Sequence, residues 1–172
     1  MSASRGCLTH REALAVETLR HFGRVRLRVR GESMLPSLWP GDVAEIEAAS
    51  LPEIRPGDIV LAFREGRFFL HRFLSRKPNE TFLTRGDSMP RPDPEFPPAA
   101  LLGRLVSIER SGQTLSVSAP ERPWSRLVGL LLCYCNPARS LALKLHCRRT
   151  TEHTSDFHLC NLTSDLCNLR PL

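Results

Sequence analysis

Three short segments hold side chains that could carry out nucleophilic chemistry together. The first is Gly31-Glu32-Ser33-Met34-Leu35-Pro36, which runs on to Trp39-Pro40-Gly41-Asp42. The second is Pro56-Gly57-Asp58-Ile59-Val60, which leads to Leu70-His71-Arg72-Phe73. The third is Thr84-Arg85-Gly86-Asp87, followed by Pro92-Asp93. A serine hydroxyl is a weak nucleophile at neutral pH and needs a base beside it. Histidine is the side chain that ordinarily titrates near neutrality, and His71 stands in the apolar run Phe68-Phe69-Leu70-His71-Arg72-Phe73. An imidazole base in turn needs a carboxylate to fix its tautomer. Asp87 and Asp93 both follow extended runs and are the candidates. Singly, each residue is ordinary: serine and Gly-Asp are common in turns, and a strand histidine is commonly structural. The chain thus offers Ser, His and Asp in that order, the residue types of a nucleophilic triad.

Elements with two different periods must position these groups. Thr9-His10-Arg11-Glu12 has the form of a capping box. Ala13, Leu14, Val16, Leu19 and Phe22 then recur at helical spacing, which predicts a short amphipathic helix over residues 10–22, ended by Gly23. From Arg24 to Arg30 arginine alternates strictly with Val or Leu, the pattern of a half-buried strand with one arginine face. That face could meet an anionic surface or simply be solvated. Further extended runs are expected at 42–48, 58–63, 68–74, 81–84, 102–110 and 114–118. Turn residues such as Pro40-Gly41, Pro56-Gly57, Glu65-Gly66, Lys77-Pro78-Asn79 and Ser111-Gly112 separate them. Residues 91–98 hold four prolines and must form an extended loop. Ser33 therefore falls just past a strand and ahead of Pro36, which forbids regular pairing. On such a turn its backbone N–H can face a bound carbonyl.

The chain has 172 residues, enough for one domain with a core. Fourteen prolines argue against a mostly helical protein. The net charge of +6 rests on arginine and fits an anionic partner, whether a membrane surface, nucleic acid or an acidic protein, or simply a solvated arginine-rich surface. The start of the chain lacks the apolar core of a secretory signal, and no run reaches the ~18–20 apolar residues of a membrane span. A cytoplasmic location is expected, with peripheral contact to an anionic membrane open to the basic, apolar stretch from Trp124 to Leu145. The six cysteines, Cys7, Cys133, Cys135, Cys147, Cys160 and Cys167, form no CxxC pair and are expected as free thiols. His153, His158, Cys160 and Cys167 match no standard zinc spacing, so neither a metal nor a cofactor is expected. The expected organisation is a helix over residues 1–23, a β domain over 24–119, a basic helical segment over 120–149 and a disordered tail over 150–172. The tail repeats Leu159-Cys160-Asn161-Leu162 as Leu166-Cys167-Asn168-Leu169.

The combination of Gly-x-Ser-Met-x-Pro, Gly-Asp-Ile-Val, His-Arg and Gly-Asp resembles the LexA/signal-peptidase superfamily of serine peptidases over about residues 28–110. Leu102-Gly103-Arg104-Leu105 is similar to the later Gly-Arg strand of that group. The resemblance implies a mainly β fold, a compact coiled sheet or half-barrel with a short N-terminal helix and a C-terminal helical segment. It implies Ser33 as nucleophile, with Gly31, Met34 and Pro36 at the substrate site. Most bacterial signal peptidases and the LexA-like self-cleaving proteins use a lysine base. The archaeal and endoplasmic-reticulum type uses histidine, and His71-Arg72 resembles that type. In it an aspartate six positions past the Gly-Asp aspartate completes the triad, which implies Asp93 as the partner of His71 and Asp87 in a supporting role. Signal peptidases often carry a serine where Gly31 stands, so the oxyanion hole must lean on backbone N–H groups.

The implied activity is an endopeptidase of signal peptidase I type, cutting a pre-protein or leader peptide after small residues. Gly31-Glu32-Ser33-Met34 is closer to the LexA side, which makes a self-cleaving regulator the second reading. About 22 residues ahead of the first strand hold one helix, too few for a helix-turn-helix pair, and no Ala-Gly or Cys-Gly precedes Ser33. Nucleic acid is accordingly not an expected partner. An inactive fold that binds peptides is the third reading.

Overall fold

A computed structural model describes residues 10–116 and 140–146, with isolated positions 128, 131, 134 and 135 between them. Helix α1 (His10–Phe22) leads into seven strands: β1 (Arg24–Arg28), β2 (Val43–Ala48), β3 (Ile59–Arg64), β4 (Arg67–Arg76), β5 (Phe82–Arg85), β6 (Leu101–Arg110) and β7 (Gln113–Ser116). All pairings are antiparallel and the order is β1-β2-β6-β3-β4-β5, with β7 also on β6. The sheet is not closed. The long strand β6 serves three neighbours: β2 pairs along Gly103–Glu109, β3 pairs with Leu101, Gly103 and Arg104, and β7 pairs with Ser107–Arg110. The fold is thus mainly β, with a helix at each end of the described chain. The expected helix and strands agree with these bounds to within three residues.

Local chemistry explains several boundaries. Trp39-Pro40-Gly41-Asp42 and Arg55-Pro56-Gly57-Asp58 form the same turn twice. In each, the aspartate N–H donates to the carbonyl three residues back, at 3.1 and 3.0 Å. Each carboxylate then accepts the backbone N–H of the residue that opens its turn, at 2.8 Å. Gly41 and Gly57 sit at φ +99° and +100°, which a side chain would disfavour, and proline supplies the fixed φ before them. These turns launch β2 and β3.

The apolar run of β3 is buried on both faces. Ile59 and Leu61 join Leu19, Met34, Leu38, Ile46, Leu105 and Ile108 on one side of the sheet. Val60 and Ala62 join Leu51, Ile54, Phe73, Phe82 and Phe96 on the other. The alternation of β4 places Phe69 and Phe73 with the second cluster and Phe68 and Leu70 against the first. The stripe on α1 differs from the expected one. Leu19 is fully buried, whereas Leu14 and Phe22 are exposed; among the described residues the helix rests chiefly on β1 and β2, which take one flank of it.

None of the described helices is long and apolar enough to cross a membrane. Cys135 is a free thiol. The expected capping residue Thr9, most of the basic segment, the candidate zinc residues and the tail over 150–172 lie outside the described residues.

Candidate active site

Ser33 lies five residues past the end of β1, in the turn that carries the chain over to β2, and is half-buried. Leu35 N–H donates to Glu32 O at 3.2 Å and Leu38 N–H to Met34 O at 2.9 Å, so the turn is tightly wound. Met34, Leu35 and Leu38 anchor it from beneath and are almost wholly buried. The side chain of Met34, a residue expected at the substrate site, is 2% exposed and packs into the first core cluster. Gly31 is exposed beside Ser33, and Pro36 is half-buried after a cis peptide bond. The N–H of Ser33 donates to no acceptor among the described residues.

His71 points from the middle of β4, where Val60 stands opposite it in register. The imidazole is enclosed, its side chain 9% exposed. Its Nε2 lies 2.8 Å from Ser33 Oγ and its Nδ1 lies 2.6 Å from Asp93 Oδ2. An acidic acceptor at Nδ1 fixes the proton there in the neutral ring and leaves Nε2 as acceptor for the serine hydroxyl. The edge of Phe69, with ring centroids 5.9 Å apart, closes one side of the imidazole.

The Pro-rich loop that brings Asp93 back is tied to β5. Phe82 and Phe96 exchange two backbone hydrogen bonds of 2.9 Å and stack their rings 5.4 Å apart, and Asp93 N–H donates to Thr84 O at 2.8 Å. Thr84 Oγ1 also donates to Asp93 Oδ2 at 2.6 Å. Burial works against ionisation of this carboxyl. The hydrogen bonds from His71 and Thr84, with the charges of His71 and Arg64, outweigh it and hold Asp93 below its ordinary value of 3.8. A carboxylate depressed on folding stabilises the fold above its unfolded value, and that contribution is lost as pH falls through the depressed one. The stability gap between the protein and Asp93→Asn, measured by denaturant unfolding, should therefore narrow as pH drops below about 4. An equal gap at pH 3 and pH 6 would show that these bonds do not hold the charge.

Asp87 does not join this row. Its carboxylate takes Arg72 Nε and Nη2 at 2.7 Å each and the hydroxyl of Ser37 at 2.5 Å. Arg72 also donates to Gly57 O at 2.6 Å. Asp87 thus fastens the far end of the serine turn to β4, one residue past His71.

Two neighbours of Asp87 carry a contact that residue types alone did not reveal. Ser88 N–H donates to Ser33 O at 2.9 Å, and Ser88 Oγ to Glu32 O at 2.8 Å. Gly86 packs so closely that a Cβ there would lie 2.5 Å from Ser33 O and 3.0 Å from Ser33 Cβ. Glycine at position 86 is thus required by close approach to Ser33, and the fully buried Ser88 completes the clamp. Thr84 carried a sequence signal, because alternation on β5 turns Phe82 and Thr84 to the same buried side.

Together these groups can activate a hydroxyl, accept its proton and hold the resulting imidazolium against a carboxylate. Among the described residues no group of three His, Cys, Asp or Glu side chains is placed to hold a metal ion. A search of curated proteins gives no matching sequence. The Peptidase S24-like family model matches residues 8–106. That match runs from α1 into β6, spans Ser33, His71 and Asp93, and covers more than half of the chain, so the protein belongs to the Peptidase S24-like family of the LexA/signal-peptidase superfamily.

Proposed function

We propose that the protein is a serine endopeptidase of Ser-His-Asp, signal peptidase I type, cutting a pre-protein or leader peptide after small residues. The observation that carries this reading is the continuous row from Ser33 Oγ through His71 to Asp93, with spacings of 2.8 and 2.6 Å. Ser33 Oγ attacks the scissile carbonyl as His71 Nε2 takes its proton. The C–N bond breaks, His71 returns the proton to the leaving amine, and an acyl-enzyme on Ser33 remains. Water, deprotonated by the same imidazole, then releases the acid and restores the serine. The Ser33 N–H is available to the oxyanion. Preference for small residues rests on the resemblance of the motifs.

The family match favours a second reading, a self-cleaving regulator, because Gly31-Glu32-Ser33-Met34 is closest to the LexA side. The two differ in molecularity. We would incubate the protein with signal-peptide-like and leader-like peptides, with and without anionic vesicles, and map the products by mass spectrometry. Cuts in added peptides after small residues are expected. Cuts only within the protein itself, at a rate independent of its concentration, would establish the second reading in place of the first.

A further inference from the structure

The four arginines of the alternating run, Arg24, Arg26, Arg28 and Arg30, are all exposed, and Val25, Leu27 and Val29 turn to the first core cluster. Their charges are not treated alike. Arg24 pairs with Glu45 and Glu47 at 3.5 and 3.0 Å, and Arg26 pairs with Glu109. The strand register explains where neutralisation stops. Glu47 stands opposite Arg24 and Glu45 opposite Arg26, but Val43 stands opposite Arg28. The next carboxylate along that strand, Asp42, is buried and held by Arg110. Arg28 and Arg30 therefore meet no carboxylate among the described residues, and they are the two arginines nearest Ser33 in the chain.

Among the described residues the outer backbone edge of the same strand is unpaired: β1 is an end strand whose strand partner is β2. Val29 spends its N–H on Asp42 O at 2.8 Å and its carbonyl on Gly41 N–H at 2.9 Å. By the alternation of an antiparallel ladder, the N–H and C=O groups of Arg26 and Arg28 point away from β2, into the free edge. A peptide strand laid there would place alternate side chains beside the arginines and the others toward the half-buried Leu27 and Val29.

We propose that Arg28 and Arg30 are specificity determinants that favour substrates with acidic side chains at alternate positions, roughly two to five residues from the scissile bond. The proposal rests on the peptidase reading and names its substrate class. Opposite charges facing each other across a strand pair are favourable, and like or absent charges are not. Arginines on an open edge also discourage pairing with other chains. That role would apply equally to all four arginines, whereas among the described residues only the two next to Ser33 lack a carboxylate partner.

The test uses Ser33→Ala protein and fluorescein-labelled eight-residue peptides in which alanine alternates with glutamate, glutamine or lysine, read by anisotropy at low salt. The glutamate peptide should bind about tenfold more tightly than the glutamine peptide. That preference should vanish in R28Q/R30Q and turn toward the lysine peptide in R28E/R30E. Equal affinities, or a preference that survives R28Q/R30Q, would overturn the proposal. So would loss of anionic-vesicle binding in R28Q/R30Q without any peptide preference, which would make the patch a membrane contact. Cleavage by the protein with Ser33 intact is followed separately. Charge-dependent binding without any cleavage would remove the peptidase reading and leave an edge that recognises acidic peptides.

Discussion

Ser33→Ala and His71→Ala are each expected to lower kcat on the best cleaved peptide by about 10⁶-fold, and the double variant by no more than either alone. The near-identity follows from the geometry. His71 Nε2 lies 2.8 Å from Ser33 Oγ, so the hydroxyl and the imidazole act as one unit. Without the base the hydroxyl stays protonated, and without the hydroxyl the base has nothing to activate. Asp93→Asn should cost about 10⁴-fold, because an amide can present a hydrogen to Nδ1 and favour the wrong tautomer. Asp87→Asn provides the contrast: Asp87 bonds Arg72 and Ser37, and the row from Ser33 to Asp93 survives its loss. Its effect should be smaller than that of Asp93→Asn and should reach the reaction through the position of the serine turn. Cutting that persists undiminished in Ser33→Ala would assign the activity to another nucleophile. A fall for Asp87→Asn matching that for Asp93→Asn would mean that the reaction depends on Asp87 as much as on the carboxylate beside the imidazole.

Much of this arrangement was legible in residue order because its local determinants are local. Two Pro-Gly-Asp turns, a serine ahead of a proline and a histidine in an apolar strand each declare their backbone setting within a few residues. The motif resemblance then separated Asp93 from Asp87, and the structure places Asp93 at His71 and Asp87 at Arg72. Contacts that cross the sheet were not legible. Met34 follows Ser33 directly, yet the winding of the turn sends its side chain into the core. Leu14 and Phe22 fit a helical stripe, but their periodicity does not tell how much protein lies beneath the helix. Gly86 reads as a turn glycine, and only its approach to Ser33 shows why a side chain there is excluded. The arginine run reads as one charged face. Its division into a neutralised half and a bare half depends on the register that sets Glu47 and Glu45, and then Val43, across from it.

Arg110→Met is expected to lower stability by about 3–5 kcal/mol, read as a fall in the urea midpoint at unchanged m-value. Asp42 is only 1% exposed in its side chain, and Arg110 meets it through Nε at 2.9 Å and Nη2 at 2.7 Å. Removing the guanidinium leaves the buried carboxylate with the Trp39 N–H as its remaining partner. Truncating one member of a buried pair is costly chiefly because the other charge stays behind. Asp42→Asn added to Arg110→Met should therefore recover part of the loss, and the two changes should be clearly non-additive. The consequence reaches the site as well, since Arg110 also donates to Ser37 O at 3.3 Å and Ser37 bonds Asp87. The buried pair thus holds the end of the serine turn from one side while Arg72 and Asp87 hold it from the other. If Arg110→Met unfolds at the same urea concentration as the parent protein, the pair does not stabilise the fold, and the serine turn is held by the Arg72–Asp87 pair and the Gly86 and Ser88 contacts without it.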